Sequence, residues 1–213
     1  MCTETFLHLP EEKRRRILDA AWTEFTTAPF SSVSINRIVW RAKIPRGSFY
    51  QYFDGKSDIF VCLIENARAE MMQSMSGLVK QVQGDIFRVT VSAYDLFLQG
   101  YQENSMPMLN RLFQMIKINP GIDLENMFTE PAEEIITETV IKELDLSALR
   151  RKDVHFVKQV ITLTGMMFGG ALMNSLQHPE QATEIRGNLL DCLDIIRRGS
   201  VRTELLQEGD LSQ

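Results

Sequence analysis

Asn36, Arg46, Ser48 and Gln51 are the side chains of this sequence best suited to reading base edges. Arg can bond guanine with two parallel N–H groups, Gln can do the same for adenine, and Ser suits either base. Around them lie groups suited to phosphate: the hydroxyls of Ser34, Tyr50 and Tyr52, the ammonium of Lys56, and the bare backbone of Gly47, which permits close approach.

Two short helices must hold these groups. Ser34 is a suitable N-cap, and Val33 and Ile38 are spaced to form a staple across the first turn. Ile35, Ile38, Val39 and Ala42 then repeat with helical period, leaving Asn36, Arg37, Arg41 and Lys43 outside. Pro45 ends this helix, because the residue before a proline is pushed out of the α region, and its own preset φ starts the next. The second helix is predicted from Arg46 to Phe53. Phe49 and Phe53 point inward at i, i+4, and Arg46, Gly47, Ser48, Tyr50, Gln51 and Tyr52 face outward.

This spacing resembles the helix-turn-helix of the tetracycline-repressor-like (TetR) family. The likeness runs from about Arg16 to Phe60, through Ile17-Leu18-Asp19-Ala20-Ala21 and Phe25, Ser34-Ile35 and Ile38, then Arg46 to Phe53 with Lys56 and Ile59. Lys43 stands where the family usually has Gly, and Pro45 where it often has a Ser cap. The resemblance implies an all-α protein of about nine helices. Residues 1–55 would be a helix-turn-helix DNA-binding head and 56–213 a helical ligand-binding and dimerisation body. It further implies a homodimeric regulator, usually a repressor, that binds a palindromic operator in double-stranded DNA and is released by a small apolar or amphipathic effector. In this scheme Arg46, Ser48, Gln51 and Asn36 read bases, while Ser34, Gly47, Tyr50, Tyr52 and Lys56 hold phosphates. A protein-binding adaptor or an activator on the same fold is the alternative.

The net charge of −5 would by itself argue against a DNA partner, but the charge is unevenly placed. Residues 1–60 hold nine Lys/Arg against seven Asp/Glu, and the remainder holds 14 against 21. A mildly basic head on an acidic body suits a protein that touches phosphate at one end. Cys2, Cys62 and Cys192 have no metal-ligand spacing and read as ordinary thiols. No cofactor is expected. The histidines, His8, His155 and His178, are scattered, and no nucleophile–base motif or Gly-rich phosphate loop accompanies them, so the chain does not read as an enzyme. No apolar run approaches the roughly 20 residues of a membrane span, which points to a soluble, cytoplasmic protein.

The body reads as helices: Lys56 to Val82, Asp85 to Gln102, Met106 to Asn119, Pro131 to Leu144, Ser147 to Gln177 and Pro179 to Gly199. Small residues at Gly165 and Gly169 with Leu172, opposite Leu189, Leu193 and Ile196, permit close helix approach, as at ordinary intrachain contacts too, and the resemblance implies a dimer face on the last two helices. Phe87, Tyr94, Phe97, Tyr101, Met108, Phe113, Met127, Phe128 and Phe156 supply rings and thioethers that suit an adaptable pocket and equally a plain core, and the resemblance favours the effector pocket.

Overall fold

The computed structural model describes residues 3–119 and 138–205. Its helices are α1 (Glu4–Leu7), α2 (Glu11–Phe25), α3 (Ile35–Ala42), α4 (Arg46–Tyr52), α5 (Lys56–Gln81), α6 (Ile86–Gln102), α7 (Pro107–Ile118), α8 (Glu138–Glu143), α9 (Val154–Gln177) and α10 (Ala182–Ser200). Among the described residues the one β feature is an isolated bridge between Leu149 and Val201. The chain divides into two compact units, Met1–Met71 with Pro107–Ile122, and Met72–Met106 with Asp123–Gln213.

In the first unit, Ile17, Ala21 and Phe25 of α2, Ile38 and Ala42 of α3, and Phe49 of α4 are fully buried with Phe53, forming one apolar centre. Burying each large side chain contributes about 1.5–3 kcal/mol. Ser34 caps α3, its hydroxyl accepting from the Arg37 N–H. Glu24, 1% exposed, ties α2 to that same cap: one carboxylate oxygen accepts from Ser34 N at 3.0 Å and from Arg37 Nε at 2.7 Å. At the other end of α3, Lys43 adopts φ 52°, and the Ile44 N–H donates back to Val39 O at 3.1 Å. This is the left-handed helix ending that normally falls to glycine. Arg16 reinforces it by donating from Nε to Ala42 O at 2.8 Å, satisfying a carbonyl that the helix end leaves open.

The sequence reading missed α1. Thr3 caps it, and Phe6, 1% exposed, lies against Tyr52 and Phe53 with ring centroids 6.2 and 4.8 Å away. The Thr3 hydroxyl also donates to Tyr52 O at 3.0 Å, so α1 clasps the end of α4. In the same unit, α7 is bound to the head by Arg111 Nη1 donating to Asp19 Oδ1 at 2.6 Å, and by Phe30 N donating to Asn119 Oδ1 at 2.7 Å.

In the second unit, α9 packs against α6 and α10. Its buried side carries Phe156, Val157, Val160, Phe168 and Leu172. The Tyr94 hydroxyl pairs with Ser175 Oγ at 2.6 Å and donates to Ala182 O at 3.3 Å, and Arg186 forks onto Asp95 with two 2.7 Å bonds. The start of α9 differs from the expected Ser147: Asp153 caps it, accepting from Phe156 N at 3.1 Å, because the preceding Leu149–Arg150 stretch bonds to the Ser200–Arg202 segment. Helix α9 is also long and apolar enough to cross a membrane by length and composition, with a mean hydropathy of 1.3. Its apolar side chains divide between packing in this unit, as at Val157, Val160, Phe168 and Leu172, and exposed positions at Val154, Leu163 and Met166. Cys192 is a free thiol, whereas Cys62 is disulfide-bonded, which corrects the reading of all three cysteines as ordinary thiols. The first part of the expected Pro131 to Leu144 helix lies outside the described residues.

Candidate nucleic-acid interface

Helix α4 is seven residues long and presents two unlike sides. Phe49, Tyr52 and Phe53 are buried, while Arg46, Gly47, Tyr50 and Gln51 are exposed and Ser48 is half-buried. Arg46 joins the exposed groups across both helices of the turn: Nη1 donates to Asn36 Oδ1 at 2.7 Å, and Nη2 donates to the Tyr50 hydroxyl at 3.4 Å with the guanidinium 5.9 Å from that ring. Two of the five guanidinium N–H groups are thereby engaged, and the others remain for a base edge. Asn36, Arg46 and Tyr50 thus form one polar cluster that the fold holds outward.

Gly47 lies beside this cluster, and a Cβ built on it would meet nothing within 4 Å. Its value is therefore the room it leaves outside the protein rather than any packing need within. Gln51 is exposed. Ser34 is half-buried, with its hydroxyl spent on the α3 cap. Lys56 is turned back onto the head, its Nζ donating to Phe30 O at 2.9 Å and Ser31 O at 3.1 Å and lying 4.9 Å from the Phe30 ring.

Tyr52 departs from expectation. It is 4% exposed, packs on Phe6, and its hydroxyl accepts from Lys13 Nζ at 3.1 Å. The outward placement is corrected because a helix this short buries a triad at i, i+3 and i+4, not a pair, once α1 supplies a surface to cover it. The Phe49–Tyr52–Phe53 spacing carried that signal.

Electrostatics favour the same orientation. Burial, the largest single influence, pushes the Glu24 carboxyl up. The Arg37 hydrogen bond, the Ser34 N–H and the charges of Arg37 and Arg41 together outweigh it and hold the group below its ordinary value. Arg37 is correspondingly raised by its hydrogen bond to Glu24. Glu24 therefore stays ionised and pinned to the α3 cap, while Arg41, Lys43 and Arg46 stay exposed.

The pocket candidates are not gathered into one cavity. Tyr94 and Phe97 are fully buried, and the Tyr94 hydroxyl is paired with Ser175 Oγ. Phe87 borders a cavity of about 60 Å³ with Asp85, Leu149 and Arg197. Phe156 borders a separate groove of about 570 Å³ with His155, Lys158, Leu163, Ile196 and Ser200. Tyr101 is half-buried in the second unit. Met108 and Phe113 belong to α7 in the first, and Met127 and Phe128 lie outside the described residues.

The expected dimer face also needs correction. Gly169, Leu172, Leu189 and Leu193 are buried within the second unit, in which α9 packs against both α10 and α6. Gly165 and Ile196 are half-buried. The exposed large apolar groups on these two helices are Val154 (58%), Leu163 (48%), Met166 and Ile195 (71%). Gly165, Gly170, Gly187 and Gly199 on these helices have nothing within 4 Å of a built Cβ.

Comparison with known proteins agrees with the head's geometry. Residues 17–62 match the family of bacterial regulatory proteins, tetR family. The chain is 34% identical over 68 residues to YdgC, an HTH-type transcriptional regulator of Bacillus subtilis (strain 168), covering 32% of this chain and 35% of that protein. It is 32% identical over 79 residues to the HTH-type transcriptional regulator HbdR of Aromatoleum sp. (strain CIB), covering 35% and 34%. The matched stretch thus spans about a third of these curated relatives. Among solved structures, the SmeT–triclosan complex aligns over 95% of this chain and 98% of that one, with a TM-score of 0.61 at 18% identity. SmeT is the repressor of the Stenotrophomonas maltophilia multidrug efflux pump SmeDEF. At that identity the likeness concerns the fold.

Proposed function

We propose that this chain, a regulator of the TetR family, works in the cytoplasm as a homodimeric, ligand-responsive repressor that binds a palindromic DNA operator. The observation that carries this reading is the Asn36–Arg46–Tyr50 cluster, held outward on α3 and α4 while Phe49, Tyr52 and Phe53 anchor the reading helix from behind. Residues 1–55 act as the reading head and 56–213 as the body. Arg46, Gln51, Ser48 and Asn36 read base edges in the major groove. Gly47 and Tyr50 contact phosphates, Ser34 offers its cap, and Lys56 reaches phosphate only by leaving its two carbonyl partners.

Two copies associate through the exposed side of α9 and α10, where Leu163, Met166 and Ile195 lie among open glycines. Two-fold symmetry then sets the reading helices about 34 Å apart, or a multiple of that, along one duplex. The effector is a small apolar or amphipathic molecule, and the complex solved for SmeT makes a triclosan-like compound a reasonable first probe. Helix α7, bonded to the head through Arg111–Asp19 and Asn119–Phe30, is the element through which we propose the head responds. Moving the equilibrium between binding and released states from 1:99 to 99:1 requires about 5.5 kcal/mol of differential effector affinity.

The test is selection of duplexes from a randomised pool by the wild-type protein, followed by affinity measurement for variants. Arg46→Ala and Gln51→Ala are each expected to cost about 1–3 kcal/mol and to relax base preference. Failure of the wild type to enrich any sequence, or unchanged affinity and preference in both variants, would overturn the reading.

A further inference from the structure

Trp40 on α3 is 79% exposed, more so than any other large hydrophobic side chain among the described residues, whereas Trp22 is 1% exposed. Its helix is well anchored through Ile38, Val39 and Ala42, so this exposure is not that of a loose segment. Asn36 lies one turn earlier on the same face at i, i+4. Long side chains on a helix lean back toward its N-terminus, which for Trp40 is the direction of the turn that carries Asn36. Since Asn36 accepts from Arg46 at 2.7 Å, Trp40 shares a helix face with a member of the Asn36–Arg46–Tyr50 cluster.

The charge around it is one-sided. Residues 34–53 contain Arg37, Arg41, Lys43 and Arg46 and no Asp or Glu. Arg37 is paired with Glu24 from outside the segment, and the other three cations are exposed. An apolar ring surrounded by cations fits a polyanion with apolar sugar faces better than it fits a protein surface.

We infer that Trp40 contacts the DNA backbone, its ring face packing on deoxyribose and its Nε1–H donating to a phosphate at the edge of the groove read by Arg46. This rests on the reading of the head as a DNA interface and adds to it a residue that positions the head without discriminating bases. Indole is a donor only and carries no charge, so the contact has two signatures. It strengthens binding to all duplexes alike, and it leaves the salt dependence untouched because no counterion-releasing charge is involved.

The experiment uses the full chain with a duplex selected from a randomised pool and a scrambled duplex of equal length. Trp40→Ala is expected to weaken both complexes about tenfold with an unchanged slope against log salt. Trp40→Phe, which keeps a ring but loses the donor, is expected to fall between. Because Trp22 is buried, wild-type fluorescence accessible to acrylamide reports Trp40, and saturating duplex should protect it. Trp40→Phe should abolish that change, and thermal unfolding of the free variants should match the wild type.

Equal affinities of wild type and Trp40→Ala, or an indole still open to quencher at saturating duplex, would overturn this inference while leaving the regulator reading intact. Protection that rises with protein concentration in the absence of DNA would overturn it in favour of a protein contact. A wild type that binds neither duplex would overturn both.

Discussion

Lys43 holds φ 52°, ψ 47° at the end of α3, a conformation that costs an L-residue roughly 1–2 kcal/mol and glycine almost nothing. The helix-turn-helix tolerates this because Arg16 and the Ile44 N–H satisfy the carbonyls around it. Lys43 is also one of the exposed cations beside the reading face. Lys43→Gly is therefore expected to raise unfolding free energy by about 1 kcal/mol while weakening DNA binding and lowering its salt dependence. Urea denaturation alongside a salt titration measures both. Reduced stability would mean that the lysine side chain contributes more than its backbone costs. The resemblance marked Lys43 as standing where the family usually has Gly, but the left-handed φ came only with the folded backbone.

At the scale of elements, Glu24 locks α2 to the start of α3, and the lock is sensitive to pH. Its carboxyl is held below its ordinary value by the Arg37 hydrogen bond and the Ser34 N–H. A depressed carboxylate stabilises the fold at pH values above its unfolded pKa, and that contribution is lost as pH falls through the lower folded value. Glu24→Gln is therefore expected to cost about 1–3 kcal/mol near neutrality and to lose stability less steeply than wild type below about pH 4.5. Parallel acid limbs in the two proteins would show that the carboxylate is not the coupling group.

Elements were unevenly legible in the sequence. Helices α3, α4 and α5 were readable because Ser34, Pro45 and the apolar period mark them locally. Helix α1 was not, since four residues carry no period and Phe6 gains its role only from Tyr52 and Phe53, far along the chain. Tyr52 was misplaced for the same reason. On α9 and α10, apolar residues lie on more than one face, so sequence could not separate Leu172, Leu189 and Leu193, which pack inside the unit, from Leu163 and Ile195, which remain exposed.

For the whole molecule, the proposed palindromic operator requires two copies of α4, and one chain supplies one. Leu163→Glu and Ile195→Glu alter exposed positions and should leave the fold intact. Each is expected to move the protein from dimer to monomer in sedimentation and to reduce operator affinity at least tenfold, since one head keeps only half the contacts. Dimers that persist in both variants would place the two-fold contact elsewhere. The charge division acts at the same scale: residues 1–60 hold an excess of cations and the remainder an excess of acids, which favours approach to a duplex by the head end.

The central claim is that Arg46, oriented by Asn36 and Tyr50, reads a base edge in the major groove. Methylation interference on a selected duplex tests it most directly, because a methyl group at guanine N7 blocks the acceptor that arginine uses. The account predicts at least one interfering guanine in each half-site for the wild type, with that interference lost in Arg46→Ala while other contacts persist. Interference at the same guanines in both proteins, or none in the wild type, would contradict it.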